Sequence, residues 1–140
     1  IGITLLFLNL NAWQFVQSLE HESILPVTHY LKANEKNNAP VAMYQTFYYD
    51  LPYYAPQRTI LAVDEWKKGL FKGDLLTEQF ALGMQHHAPK TFISNAEFMK
   101  RWHNKNKLMY AVTNQQHSQT LLKQNGQLLL SHHGIYLLRN

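Results

Sequence analysis

PVAMYQTFYYDLPYYAPQRTILAV, Pro40 to Val63, is the stretch whose reading decides the fold. In its first half Val41, Met43, Gln45 and Phe47 alternate with Ala42, Tyr44, Thr46 and Tyr48, and neither set is strongly polar. A strand that is apolar on both sides is one covered on both faces. A second apolar run, Thr59 to Val63, closes the stretch. Between the runs Asp50 stands where a side chain caps a helix, Pro52 fits a first helical turn and Pro56 stops it. Strand, one or two helical turns, strand is a compact α/β unit.

Upstream, Ser23 reads as the cap of a helix that runs to about Ala33, with Pro26 in its first turn. Its apolar stripe is Ile24, Val27, Tyr30 and Leu31, and a polar loop from Asn34 to Asn38 leads to Pro40. Farther upstream Ala12, Trp13, Phe15, Val16 and Leu19 keep a helical spacing. Ile1 to Leu10, IGITLLFLNL, is shorter than the about 20 apolar residues a membrane span needs, and it lacks the basic flank of a signal peptide. It reads as a strand or helix docked on the domain or as the end of a transmembrane helix.

Downstream, Asp64 to Gly69 is charged, Gly69 and Gly73 punctuate it, and Leu75 to Met84 has a helical rhythm entered through Asp74. The excursion from 64 to 89 is a candidate partner surface. Thr91 to Ser94 predicts a short strand, and Asn95 the cap of a helix with Phe98, Met99 and Trp102 inward, ending near His103. Lys107 to Thr113 predicts a strand and Gln115 to Lys123 a helix ended by Asn125-Gly126. Gln127 to Ser131 and Ile135 to Arg139 then make an antiparallel hairpin through His132-His133-Gly134, with Gly134 supplying positive φ. The expected architecture is one α/β domain, residues 21–140, behind an apolar N-terminal segment, residues 1–20. Its sheet is expected to be mostly parallel, with about five or six strands flanked by helices and a C-terminal antiparallel hairpin.

The chemistry-bearing residues exclude more than they assign. No cysteine is present, which removes disulfides, thiolate metal sites and cysteine nucleophiles. The eight histidines include the pairs His86-His87 and His132-His133, but none has a metal-ligand spacing with an acid beside it, so no metal and no cofactor is expected. No serine sits in a Gly-x-Ser-x-Gly elbow, and the six glycines form no dinucleotide or phosphate-loop motif. The formal charge of +4 suits an anionic partner, a membrane surface or a phosphate. The basic residues are spread along the chain, which reads as solvated surface and not as a nucleic-acid footprint. What remains is an aromatic patch, Tyr48, Tyr49, Tyr53 and Tyr54, with Asp50 and Arg58. Tyrosine stacks on a sugar face or lies at a membrane interface, and arginine grips phosphate with two parallel bonds. The same residues also serve as packed core, helix cap and surface cation, and that structural role is the favoured one.

The tyrosine-rich strand running into Asp50-Leu51-Pro52-Tyr53-Tyr54, then Arg58 and an apolar strand, resembles the C-terminal soluble domain of the aminoarabinose-transferase-like glycosyltransferases. These are bacterial membrane enzymes of the dolichyl-phosphate-mannose protein mannosyltransferase superfamily, some of which modify lipid A. The resemblance extends through Ser94-Asn95-Ala96-Glu97-Phe98 with Trp102 and the strand Leu108 to Val112, over roughly residues 23 to 138, and its motifs are short. It implies a non-catalytic domain on the periplasmic side of the bacterial inner membrane, capping its own bundle of membrane helices. That bundle would hold a polyprenyl-phosphate-linked sugar for transfer to a lipid or protein acceptor, with no nucleic acid involved. The family's acidic catalytic loop has no counterpart in these residues, so the resemblance assigns no catalytic residue, and the chain alone is expected to be inactive. It makes residues 1–20 the end of a transmembrane helix and Tyr49, Asp50, Tyr53, Tyr54 and Arg58 the substrate-facing set. The alternative is a free-standing α/β module that binds an anionic ligand or a protein.

Overall fold

The computed structural model describes residues 23–34, 38–63 and 91–140. The expected N-terminal segment 1–20, the helix at 75–84 and the excursion 64–89 lie outside the described residues. Among the described residues no helix is long and apolar enough to cross a membrane.

The stretch that decides the fold forms strand β1 (Val41–Tyr44), one helical turn α2 (Leu51–Tyr54) and strand β2 (Ile60–Val63), preceded by helix α1 (Leu25–Ala33). β1 and β2 pair in parallel, with Val41 opposite Ile60 and Tyr44 opposite Val63. All four residues of β1 are buried, Val41 and Met43 toward one helical layer and Ala42 and Tyr44 toward the other. The strand stops at Tyr44 and not at Tyr48, because Gln45 adopts φ 53° and breaks the pleat.

After β3 (Phe92–Ile93) come helix α3 (Asn95–Trp102), strand β4 (Tyr110–Asn114), helix α4 (Gln115–Lys123) and strands β5 (Gln127–His132) and β6 (Ile135–Arg139). The strand order is β3-β2-β1-β4-β6-β5. The expected α/β class, flanking helices and C-terminal hairpin are present. The sheet is mixed, however, and not mostly parallel: three parallel pairings join β3, β2, β1 and β4, and two antiparallel ones add β6 and β5. The hairpin folds back so that its second strand inserts beside β4, which places an antiparallel neighbour inside the sheet. Its two-residue turn carries φ 43° at His133 and φ 81° at Gly134, the left-handed pair that matches strand twist.

α1 and α2 cover one face with Ile24, Val27, Leu31 and Leu51, and α3 and α4 cover the other with Phe98, Trp102 and Leu121. Fully buried Trp102 stacks on Phe98 at 5.4 Å and donates its indole N–H to the Gln124 carbonyl, which locks the ends of α3 and α4 together. Two expected caps are displaced by one residue. Ile24 takes the cap position of α1, and the Ser23 hydroxyl accepts from the Leu25 N–H. In α3 the cap is Ser94, not Asn95, and its hydroxyl accepts from the Glu97 N–H in a Ser-x-x-Glu pattern.

Candidate functional site

The backbone leaves β1 at the carboxyl end of the parallel strands, turns through Phe47 and Tyr48, and returns along α2 to the amino end. There α2, Ala55 to Arg58 and the end of α1 enclose a cleft of about 480 Å³. Its walls include Lys32, Asn38, Tyr53, Tyr54 and Arg58. Leu51, fully buried, anchors the single turn of α2 against the sheet; Tyr54, three residues on, packs toward the same core, and Tyr53 faces outward. Tyr54 is half-buried against the core, and Tyr53 is 79% exposed, their rings meeting edge to face at 5.2 Å.

Arg58 lines the cleft. Its Nη1 donates to the Ala39 carbonyl at 3.1 Å, and its Nη2 donates to the carbonyls of Leu31 at 2.7 Å and Asn34 at 3.3 Å. The guanidinium carbon lies 5.4 Å from the centre of the Tyr110 ring. Helix C-termini leave their last carbonyls without helical partners, and here a cation takes them. Arg58 therefore joins α1, the start of β1 and β4 at one point, and two of its nitrogens are spent on backbone.

Of the five residues singled out from the sequence, the fold brings Tyr53, Tyr54 and Arg58 to one cleft. Tyr49 and Asp50 lie outside its lining. Tyr49 packs its ring 4.8 Å from Phe47. Asp50 is exposed and holds the N-cap position of α2, yet its side chain caps nothing, because its backbone is already helical at φ −85° and ψ −16°. An N-cap side chain reaches back only from an extended backbone. The Asp50 carbonyl instead accepts from the N–H groups of Tyr53 and Tyr54.

No family model, curated protein or solved structure matches the chain. The site is read from its own chemistry: an exposed tyrosine, a lysine and an arginine that line the same cleft.

Sequence reasoning missed two other hollows. One, of about 400 Å³, lies across the sheet at the same amino end, between Pro40, Lys100, Arg101, Asn104, Lys107 and Met109. Its shape depends on the carboxamide of Asn140, which donates to the carbonyls of Trp102 and Lys107 and accepts from the Met109 N–H. The other opens at the carboxyl end, between the start of α4 and the β5–β6 turn. Asn114, Gln115, Gln116, Gln119 and Gly134 line it. Beneath it the buried Thr113 hydroxyl donates to the Tyr44 carbonyl at 2.7 Å, and the His117 ring meets Tyr44 edge-on at 6.2 Å. The signal for this hollow was Asn114 at the strand end followed by glutamines. Among the described residues no group of three or more His, Asp or Glu side chains is placed to hold a metal ion.

Proposed function

We propose that the chain is the non-catalytic, periplasmic-side domain of a bacterial inner-membrane glycosyltransferase, one that moves a sugar from a polyprenyl-phosphate donor to a lipid or protein acceptor. The observation that supports this reading is the cleft that sets exposed Tyr53 beside Lys32 and Arg58. A sugar carried on a phosphate offers an apolar ring face and an anion side by side, and the cleft offers the complement of each. In this reading Tyr53 stacks on the ring, Tyr54 holds Tyr53 in place, Lys32 meets the phosphate, and Arg58 fixes the wall and adds its field. The bond-breaking groups belong to the membrane bundle of the same polypeptide, and the domain covers that bundle and selects what enters it.

The test is Tyr53→Ala in the membrane-embedded polypeptide, assayed for transfer from a lipid-linked donor. Loss of about 1 kcal/mol of ring contact corresponds to roughly fivefold in kcat/KM. The melting temperature of the 140-residue chain should stay unchanged, since Tyr53 is 79% exposed. Undiminished transfer would remove the cleft from the reaction, and a coding sequence with no membrane helices ahead of Ile1 would remove the transferase reading altogether.

A further inference from the structure

All eight lysines and arginines among the described residues lie at one end of the sheet. Lys32 ends α1, and Arg58 reaches the same helix terminus. Lys100 and Arg101 occupy the last turn of α3, and Lys105 and Lys107 the loop from α3 into β4. Lys123 ends α4, and Arg139 ends β6 opposite Tyr110, the first residue of β4. The two described acids are placed otherwise. Asp50 enters α2 from the carboxyl side, and Glu97 stands on the first turn of α3, where it pairs with Arg101 at 2.7 Å. Cations at helix ends complement the helix dipole, which accounts for Lys32, Lys100, Arg101 and Lys123. It does not account for Lys105, Lys107 or Arg139, which lie on a loop and a strand.

We propose that this end is a docking surface for a bilayer of anionic lipid. The cations come from both helical layers and from the sheet between them. Layers in such a fold sit about 10 Å apart, so the charge covers a broad face and not a groove. A face of that kind fits a plane of headgroups, and clustered lysines and arginines are drawn to such a plane. Tyr53, 79% exposed beside Lys32, adds an amphipathic ring of the kind that settles at headgroup depth. Nucleic acid is the poorer fit, because no described helix or strand projects from this end to read a groove. The inference needs neither a sugar nor a transfer reaction, and it stands if the glycosyltransferase reading fails.

The test measures binding of the 140-residue chain to large vesicles of neutral phosphatidylcholine, with or without about 30 mol% phosphatidylglycerol. Binding to the anionic vesicles should be at least about tenfold stronger in 0.1 M salt, and the difference should vanish in 1 M salt, as the screening length falls from about 10 Å to about 3 Å. Two variants of equal net charge then locate the surface. Lys100→Gln/Lys105→Gln/Lys107→Gln should weaken binding about tenfold, whereas Gln115→Glu/Gln116→Glu/Gln119→Glu, at the opposite end, should change it less than about twofold. Equal losses would show that net charge alone acts, and equal binding to neutral vesicles would show that charge does not act; either overturns the proposal. Tighter binding to a short RNA or DNA duplex than to anionic vesicles at the same salt overturns it too. Acetylation of the unsubstituted chain gives the answer without a variant: vesicles should protect Lys32, Lys105 and Lys107, and unprotected lysines there refute the docking.

Discussion

Replacing Arg58 with alanine should destabilise the chain by roughly 2–4 kcal/mol, a large share of the about 5–15 kcal/mol that holds most domains together. The figure follows from what the guanidinium holds. It donates at 2.7 Å and 3.1 Å to the carbonyls of Leu31 and Ala39, and more weakly at 3.3 Å to that of Asn34. A hydrogen bond with a charged partner contributes about 1.5–3 kcal/mol, but these carbonyls border an open cleft and would be rehydrated after the substitution. The contact over Tyr110 adds about 0.5–1 kcal/mol. Urea melts of the wild-type chain, Arg58→Ala and Arg58→Lys measure the loss. Lysine keeps the charge at the end of α1 but has no planar fork and no face to lay on Tyr110, so it should recover less than half. If Arg58→Ala melts within about 0.5 kcal/mol of wild type, the clamp is not what joins α1 to the sheet. If, under the transferase function proposed above, that variant also lost transfer, the guanidinium would serve a phosphate and not the clamp.

Leu51→Ala should cost about 2–5 kcal/mol in the same melts, because Leu51 is fully buried and anchors α2, while Tyr53→Ala should stay within about 0.5 kcal/mol. Gly126→Ala should cost about 1–3 kcal/mol, since a Cβ there would stand 2.6 Å from the Leu121 carbonyl oxygen and 2.9 Å from the Trp102 ring; a neutral result would mean that the α4–β5 turn yields easily. Burial raises the pKa of Tyr44 above its ordinary 10.0. Burial raises that of Tyr48 too, with a hydrogen bond to Thr46 opposing and the Asp50 charge adding. Both stay protonated in the folded chain where the unfolded chain ionises, so stability should be complete below about pH 10 and fall as pH rises beyond it. Tyr44→Phe should move the alkaline unfolding midpoint upward by circular dichroism, and an unmoved midpoint would exclude Tyr44 as a source.

The layers of the fold were legible because burial writes itself into local pattern. β1 is apolar on both faces and is buried on both, and the stripe Ile24, Val27, Tyr30, Leu31 is the face that α1 turns inward. The hairpin was legible because His133-Gly134 supplies the positive φ its turn needs. The order of strands was not, since the insertion of β6 beside β4 depends on pairing between residues such as Val112 and Leu137 and leaves no local trace. Caps divided for a physical reason. Ser94 at ψ 158° and Asn114 at ψ 176° are extended and bond to the helix N–H groups, while Asp50 at ψ −16° cannot. The residue type announces a cap, but the backbone decides whether it acts.

The candidate site was half legible for a related reason. Tyr53 and Tyr54 are neighbours in sequence, and a single helical turn keeps them neighbours in space. Arg58 meets them through contacts that sequence proximity does not reveal, the strongest being to Leu31, 27 residues earlier. A sequence shows that a cation follows Pro56; only the fold shows that two of its nitrogens are taken by backbone. That changes which residue should respond to a phosphate. A cation already bonded to three carbonyls must give up those bonds to grip an anion, whereas Lys32, exposed on the rim of the same cleft, need give up none of them. In a cleft that binds a phosphate-bearing ligand, Lys32→Ala should therefore weaken binding without a change in melting. Arg58→Ala should weaken both together, and the difference between the two variants separates the group that meets the ligand from the group that builds the wall.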